Sequence, residues 1–164
     1  MTNTAEKNFV QPLTTTKEEP ITLLKVRETV LRYRTLTKVR EPVKEPRDIA
    51  ALFRRLVPNN VQEHVSLFCL DGNHNVVSCS TLFTGTANYA NVHPREIFQM
   101  AVVTGAVAII IAHNHPTGKS EPSSQDKKLT KRIRDAGEIL GIRLLDHLIV
   151  TDTEFNSAAE SGWI

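Results

Sequence analysis

Two cysteines, Cys69 and Cys79, are all that this 164-residue chain offers for crosslinking, too few for a disulfide framework. Long apolar runs are lacking too. The richest stretch, residues 101–112, is interrupted by Thr104 and Gly105 and is too short to span a bilayer. The opening residues Met1-Thr2-Asn3-Thr4-Ala5-Glu6-Lys7 contain no apolar signal core. Neither sign of charge dominates: 20 Lys and Arg face 18 Asp and Glu, a net charge of +2, which does not by itself indicate nucleic acid. No internal repeat is visible. These absences lead to the expectation of a protein of the reduced cytoplasm with no membrane partner. Cys69, between Phe68 and Leu70, reads as core. A content of 40% hydrophobic and 23% charged residues fits one globular domain with a real core.

Residues 1–20 are polar and read as a flexible arm. Residues 21–44 form an extension whose structure is open: Leu23, Val26, Val30, Leu31 and Tyr33 suit a strand pair or a marginal helix. Glu41-Pro42-Val43-Lys44-Glu45-Pro46 is a proline-spaced linker, and the main domain is expected over residues 45–164. Asp48 is placed as the cap of a helix carrying Ile49, Leu52, Phe53, Leu56 and Val57 on one face, ended by Pro58-Asn59-Asn60. Val65 to Leu70 and Val76 to Phe83 read as strands around a turn at Asp71-Gly72-Asn73. A loop follows at residues 84–88. Pro94 opens a helix carrying Ile97, Phe98, Ala101 and Val102, with His93 as its cap and Gly105 as its stop.

The chemistry lies beyond that helix. Ala106 to Ala112 is a short apolar run of the kind that forms a buried strand, and it runs into His113-Asn114-His115-Pro116. Residues two apart on a strand face the same way, so two imidazoles meet at the strand's C-terminal end. Ser123-Ser124-Gln125-Asp126 then precedes Leu129, Ile133, Ala136, Ile139 and Leu140 at helical spacing, with Gly141 as the closing residue. Two imidazoles and a carboxylate, His113, His115 and Asp126, can hold a zinc ion with one position open, the mark of a catalytic rather than a structural site. S-x-x-D also resembles a capping box, and a helix start needs no metal. Ile142 to Val150 and a short piece around Phe155 complete the chain. A strand hairpin, helix, strand, helix and strand make an α/β (α+β) sandwich with a mixed sheet.

H-x-H-P, a short loop and S-x-x-D together resemble the metalloprotease motif of the JAB/MPN domain. Three stretches resemble its bacterial RadC branch: residues 93–102 (HPREIFQMAV), 113–126 (HNHPTGKSEPSSQD) and 140–150 (LGIRLLDHLIV). The resemblance runs from about Glu45 to Ile164. It implies a cytidine-deaminase-like fold, with a curved mixed sheet flanked by helices and zinc at a strand end. It also implies a metallopeptidase or isopeptidase site acting on a protein or peptide. Eukaryotic relatives cleave ubiquitin-like modifiers from lysine side chains. Longer RadC proteins carry an N-terminal helix-hairpin-helix DNA-binding region. No such pair of hairpins is visible here, so the chain looks like a short form.

The family uses a glutamate at the start of an upstream strand as general base. Glu63 fits that place. Glu96 is the rival, although an acidic residue in a helix's first turn is expected for dipole reasons alone. Ser123 resembles the family serine that supports the tetrahedral intermediate, a role compatible with capping. His147 matches the RadC pattern and reads either as a partner of a metal ligand or as a satisfied core histidine. Lys119 sits in a loop beside the site, where it could meet a substrate carboxylate, although a solvated lysine is the default reading. His64 and His74 receive no role. Three functions follow: a zinc hydrolase of amide bonds, a nucleic-acid-associated factor of DNA repair, and a non-catalytic interaction module. The second draws on Lys127, Lys128, Lys131, Arg132 and Arg134, a basic set punctuated by Asp126, Asp135 and Glu138.

Overall fold

The apolar run read as a buried strand is β3 (Ala108–Asn114), and every residue of it is buried. It is buried on both faces because helices cover the sheet on both sides. The structure, a computed structural model, describes Arg32, Arg34 and residues 42–57, 61–85 and 92–164. Among the described residues the order is α1 (Pro46–Leu56), β1 (Glu63–Leu70), β2 (Val76–Gly85), α2 (Pro94–Val103), β3, α3 (Ser124–Leu140), β4 (Arg143–Val150) and β5 (Phe155–Ser157). The expected arm at 1–20, most of the extension before residue 42, Pro58-Asn59-Asn60 and the loop at 86–88 lie outside the described residues. No described helix is long and apolar enough to cross a membrane.

The sheet order is β2-β1-β3-β4-β5. β1 runs antiparallel to both β2 and β3, β3 and β4 are parallel, and β5 returns antiparallel to β4. The sheet is therefore mixed and flanked by helices, as expected. The pleat splits β3 cleanly. Ile109 and Ile111 join Val65, Leu67, Ile97, Leu129 and Ile133 in the core under α2 and α3. Ala108, Ile110 and Ala112 join Phe68, Leu70, Ile49 and Phe53 in the core under α1.

One irregularity decides where a buried histidine points. Ile109 pairs with Leu144 but Ile110 pairs with Asp146, so Leu145 is an extra residue in β4. Leu144 packs in the α2/α3 core, whereas Leu148 and Val150 pack in the α1 core. A bulge of this kind flips the alternation that follows it. His147 thereby pairs with Ile111 on the α2/α3 side, and Ile149 pairs with His113.

Three local signals gave way: β2 continues through Thr84 and Gly85, where the sequence suggests a loop, and the other two concern a cap and a turn. Asp48 is not the first cap of α1. Glu45 occupies that position, with Pro46 at the first helical turn, and Asp48 reaches back from the third helical position to accept from the Glu45 and Lys44 amides at 3.1 and 2.9 Å. Proline's fixed φ pulled the helix start three residues earlier than the cap residue alone suggests. The β1–β2 turn extends from Asp71 to Asn75. The Asp71 carboxylate accepts the Asn73 and Asn75 amides, both at 2.9 Å, and His74 takes a positive φ of 62°. His93 does cap α2, its Nδ1 accepting from the Arg95 amide at 3.1 Å.

Candidate metal centre

Three chain ends converge because of the topology. β1 is antiparallel to β3, so its first residue, Glu63, lies beside the last residues of β3. The loop after His115 returns directly into α3, so the α3 N-terminus arrives at the same place. Glu63, His113 and His115 each offer a ligand atom within 4.8 Å of the others and could hold a metal ion. Asp126 is equally near: one of its oxygens, Oδ1, is 3.4 Å from His113 Nε2, and the other, Oδ2, is 3.6 Å from His115 Nε2. The two Nε2 atoms are 3.0 Å apart.

These donors fit a small cation. Zinc bonds nitrogen and oxygen at about 2.0–2.2 Å, which puts neighbouring donors of a tetrahedron about 3.3 Å apart. The observed separations of 3.0, 3.4 and 3.6 Å bracket that distance. Unpartnered atoms tell the same story. Asp126 Oδ1 and Glu63 Oε1 are buried without a hydrogen-bond partner. A buried acceptor in that state costs about 1–3 kcal/mol unless something else satisfies it.

The capping box and the ligand set share residues without conflict. The Ser123 amide donates to Asp126 Oδ2 at 2.7 Å, and the Asp126 amide donates to Ser123 Oγ at 3.1 Å. The cap uses Oδ2 and leaves Oδ1 turned to His113. Ser123 itself is exposed, and its contact with the Asp126 amide does not use its hydroxyl proton.

Electrostatics follow from burial. His113 is fully buried, and desolvation, reinforced by His147, holds its pKa well below the ordinary imidazole value. Burial pushes Asp126 up, but the neighbouring His115 and His113 imidazoles and the bond from the Ser123 amide outweigh it, and the carboxyl is held below its usual range. His115 is raised, first by its contact with Asp126. Burial lifts Glu63 to about 7, opposed by His115 and assisted by Asp126. A carboxyl near 7 is matched to taking and giving protons at neutral pH.

Glu96, the rival carboxylate, is exposed in the first turn of α2. His147 is fully buried, with its Nε2 2.9 Å from His113 Nδ1. The Lys119 backbone carbonyl accepts from His115 Nδ1 at 2.9 Å. Of the basic residues on α3, Lys127, Lys128, Lys131 and Arg132 are exposed, and Lys131 and Arg134 pair with Asp135. Sequence reasoning passed over Asn114 and Thr130. Asn114 is 1% exposed; its Oδ1 accepts the His64 amide at 2.8 Å and its Nδ2 donates to the Gln62 carbonyl at 2.9 Å. It therefore clamps the peptide groups on both sides of Glu63. The signal available was a polar residue between two site histidines, but its partners are far away in sequence.

Comparison with known proteins gives the same outline. A model of the RadC-like JAB domain family matches residues 43–163. A UPF0758 protein of Xanthomonas oryzae pv. oryzae is 38% identical over 124 residues, which cover 76% of this chain and 55% of that protein. A UPF0758 protein of Aliivibrio fischeri is 44% identical over 110 residues, covering 67% of this chain and 49% of that protein. The chain thus spans about half the length of the curated relatives it matches.

Proposed function

The chain belongs to the RadC-like JAB domain family, and from that premise we propose that it is a zinc-dependent hydrolase of amide bonds in proteins or peptides, isopeptide bonds included. The observation that carries this reading is the pair of buried, unpartnered carboxylate oxygens, Asp126 Oδ1 and Glu63 Oε1, beside two imidazole nitrogens 3.0 Å apart. His113, His115 and Asp126 would hold the ion. When bound, zinc supplies Lewis-acid chemistry and lowers the pKa of a water from about 15.7 to about 7.

The remaining work falls to the chain's own groups. Glu63 accepts a proton from the attacking water and returns it to the leaving nitrogen, a task that suits a carboxyl raised to about 7. The Ser123 hydroxyl accepts from the Asp126 amide and still has its own proton to donate to the carbonyl oxygen as charge develops there. His147 orients His113. Amide hydrolysis is favoured over a nucleic-acid role because Asp135 pairs with two of the basic side chains on α3.

Elemental analysis of the tag-free protein tests the reading first. About one zinc per chain is expected in the wild type, lost in His113→Ala. Wild-type protein that takes up no zinc when it is offered would sink it. Once a cleaved peptide or modifier conjugate is found, Ser123→Ala should lower turnover much more than zinc content. Equal losses would reduce Ser123 to a helix cap.

A further inference from the structure

Behind the two imidazoles lies a buried row of polar groups that the ligand set does not require. His147 Nε2 is 2.9 Å from His113 Nδ1, and His147 Nδ1 is 2.5 Å from Thr130 Oγ1. Thr130 stands one turn after Asp126 on α3 and is 1% exposed. Its Oγ1 is 2.7 Å from the Asp126 carbonyl oxygen.

Each contact in the row needs one proton, and only one arrangement satisfies them all. A carbonyl can only accept, so the single hydroxyl proton of Thr130 goes to Asp126 O. Thr130 Oγ1 must then accept from His147, which fixes the His147 proton on Nδ1. His147 Nε2 is left as an acceptor, so His113 donates to it from Nδ1. The lone pair of His113 Nε2 is thereby turned towards His115 Nε2, 3.0 Å away. On the other side the Lys119 carbonyl fixes the His115 proton on Nδ1, so its Nε2 lone pair faces inward as well. Histidine tautomers are assigned from such networks.

We propose that Thr130 is a positioning residue for the metal: through His147 it locks His113 in the tautomer that presents Nε2 to the ion. The inference rests on the reading of this site as a metal centre. Two further features support it. The extra residue at Leu145 in β4 turns His147 to the His113 side of the sheet, and without it His147 would face the α1 core. Trp163 packs on the His147 ring at a centroid distance of 5.7 Å, which restrains that ring from a second direction. The usual partner of a metal-bound histidine is a carboxylate, a carbonyl or water. Here a second imidazole carries the restraint onward to a hydroxyl. One rigid helix, α3, therefore delivers both the ligand Asp126 and the far end of the relay.

Zinc alone is the probe, titrated into the full chain in competition with a chromophoric chelator, together with imidazole 15N shifts of the metal-free protein. The wild type should show His113 and His147 both protonated on Nδ1. Thr130→Val keeps the volume and removes the hydroxyl; it should bind zinc roughly 10–100-fold more weakly. Thr130→Ser restores the hydroxyl and should return to within about threefold of wild type. A folded Thr130→Val with wild-type zinc affinity overturns the inference, and so does His147 protonated on Nε2 in the wild type. If the valine variant fails to fold, the wild-type 15N shifts and the serine variant decide. Failure of the wild type to bind zinc would instead remove the metal-centre reading on which the inference stands.

Discussion

The two ends of α3 obey different rules. At the C-terminal end, local geometry is closed. Gly141 takes a left-handed φ of 69° and its amide returns to the Gly137 carbonyl, as does the Ile142 amide at 3.0 Å. Gly137 leaves no room for anything else: a Cβ there would stand 2.4 Å from the Ile142 carbonyl oxygen and 3.2 Å from the Phe98 ring. At the N-terminal end, Asp126 is fully buried and still has an oxygen without a partner. One end is built for stability; the other leaves a buried acceptor unsatisfied where the proposed ligand set would use it. Proteins break local rules of this kind mainly at functional sites.

The sharpest way to break the comparison is to exchange the consequences. Gly137→Ala should destabilise the fold by about 3 kcal/mol, because backbone lies within the overlap and cannot move aside as a side chain tip can. Its folded fraction should still take up zinc. Asp126→Asn should do the reverse. It removes the charged donor, so zinc affinity should fall by more than the roughly 10–100-fold typical of losing a ligand's neighbour. The amide oxygen can still accept from Ser123, so denaturant unfolding of the metal-free variant should change less than in Gly137→Ala. A Gly137→Ala protein that is stable but cannot bind zinc would erase the distinction between the two ends.

A smaller effect separates them by pH. The Glu63 pKa is raised from 4.5 to about 7, chiefly by burial. Its folded value lies above its unfolded one, so the stability it contributes is full below pH 4.5 and is lost as the pH rises through about 7. Glu63→Gln cannot ionise. In the metal-free protein the variant should therefore gain on wild type between pH 4.5 and pH 7. The gain should be on the order of 1–2 kcal/mol once screening by solvent is allowed for. Chemical unfolding of both proteins across that range checks it. A constant difference would mean that Glu63 is ionised without penalty in the fold.

The same contrast explains what could be read from the chain. Both ends of α3 were legible, because Ser123 and Gly141 punctuate it locally and the observed helix runs Ser124–Leu140. β3 was legible as an apolar run. His93 announced its role as a cap through the proline beside it. Asp48 misled because two start signals, Asp48 and Pro46, competed within one turn and proline set the boundary. The side of the sheet that His147 faces was not legible, since it depends on one extra residue at Leu145, which no periodicity in β4 reveals. Glu63 entered through family resemblance; its nearness to His115 is created by antiparallel pairing across some fifty positions of chain. Thr130 was hidden because a threonine on a helix face carries no pattern of its own. Local punctuation shows where elements begin and end, but the partners of a buried polar group depend on how strands register.

Asn114 gives the finest test of that last point. β1 and β3 pair in register from Val65 and His113 to Leu70 and Ala108. Beyond Asn114 the chain turns away through His115 and Pro116, so β3 backbone no longer faces Gln62 and His64. The Asn114 side chain replaces it, accepting from one peptide and donating to the other as a strand would. Asn114→Ala should leave the Val65–His113 pairing intact and free only the His64 amide. A net hydrogen bond of about 1 kcal/mol implies roughly fivefold faster hydrogen exchange at that amide. Val65 to Leu70 should keep wild-type protection. Asn114→Asp retains the acceptor for His64 but sets an oxygen against the Gln62 carbonyl, so it should protect His64 better than alanine does while failing to restore the Gln62 contact. Exchange that rises equally along the whole of β1 would show that Asn114 supports the strand at large, and Glu63 would then owe its position to the sheet rather than to this clamp.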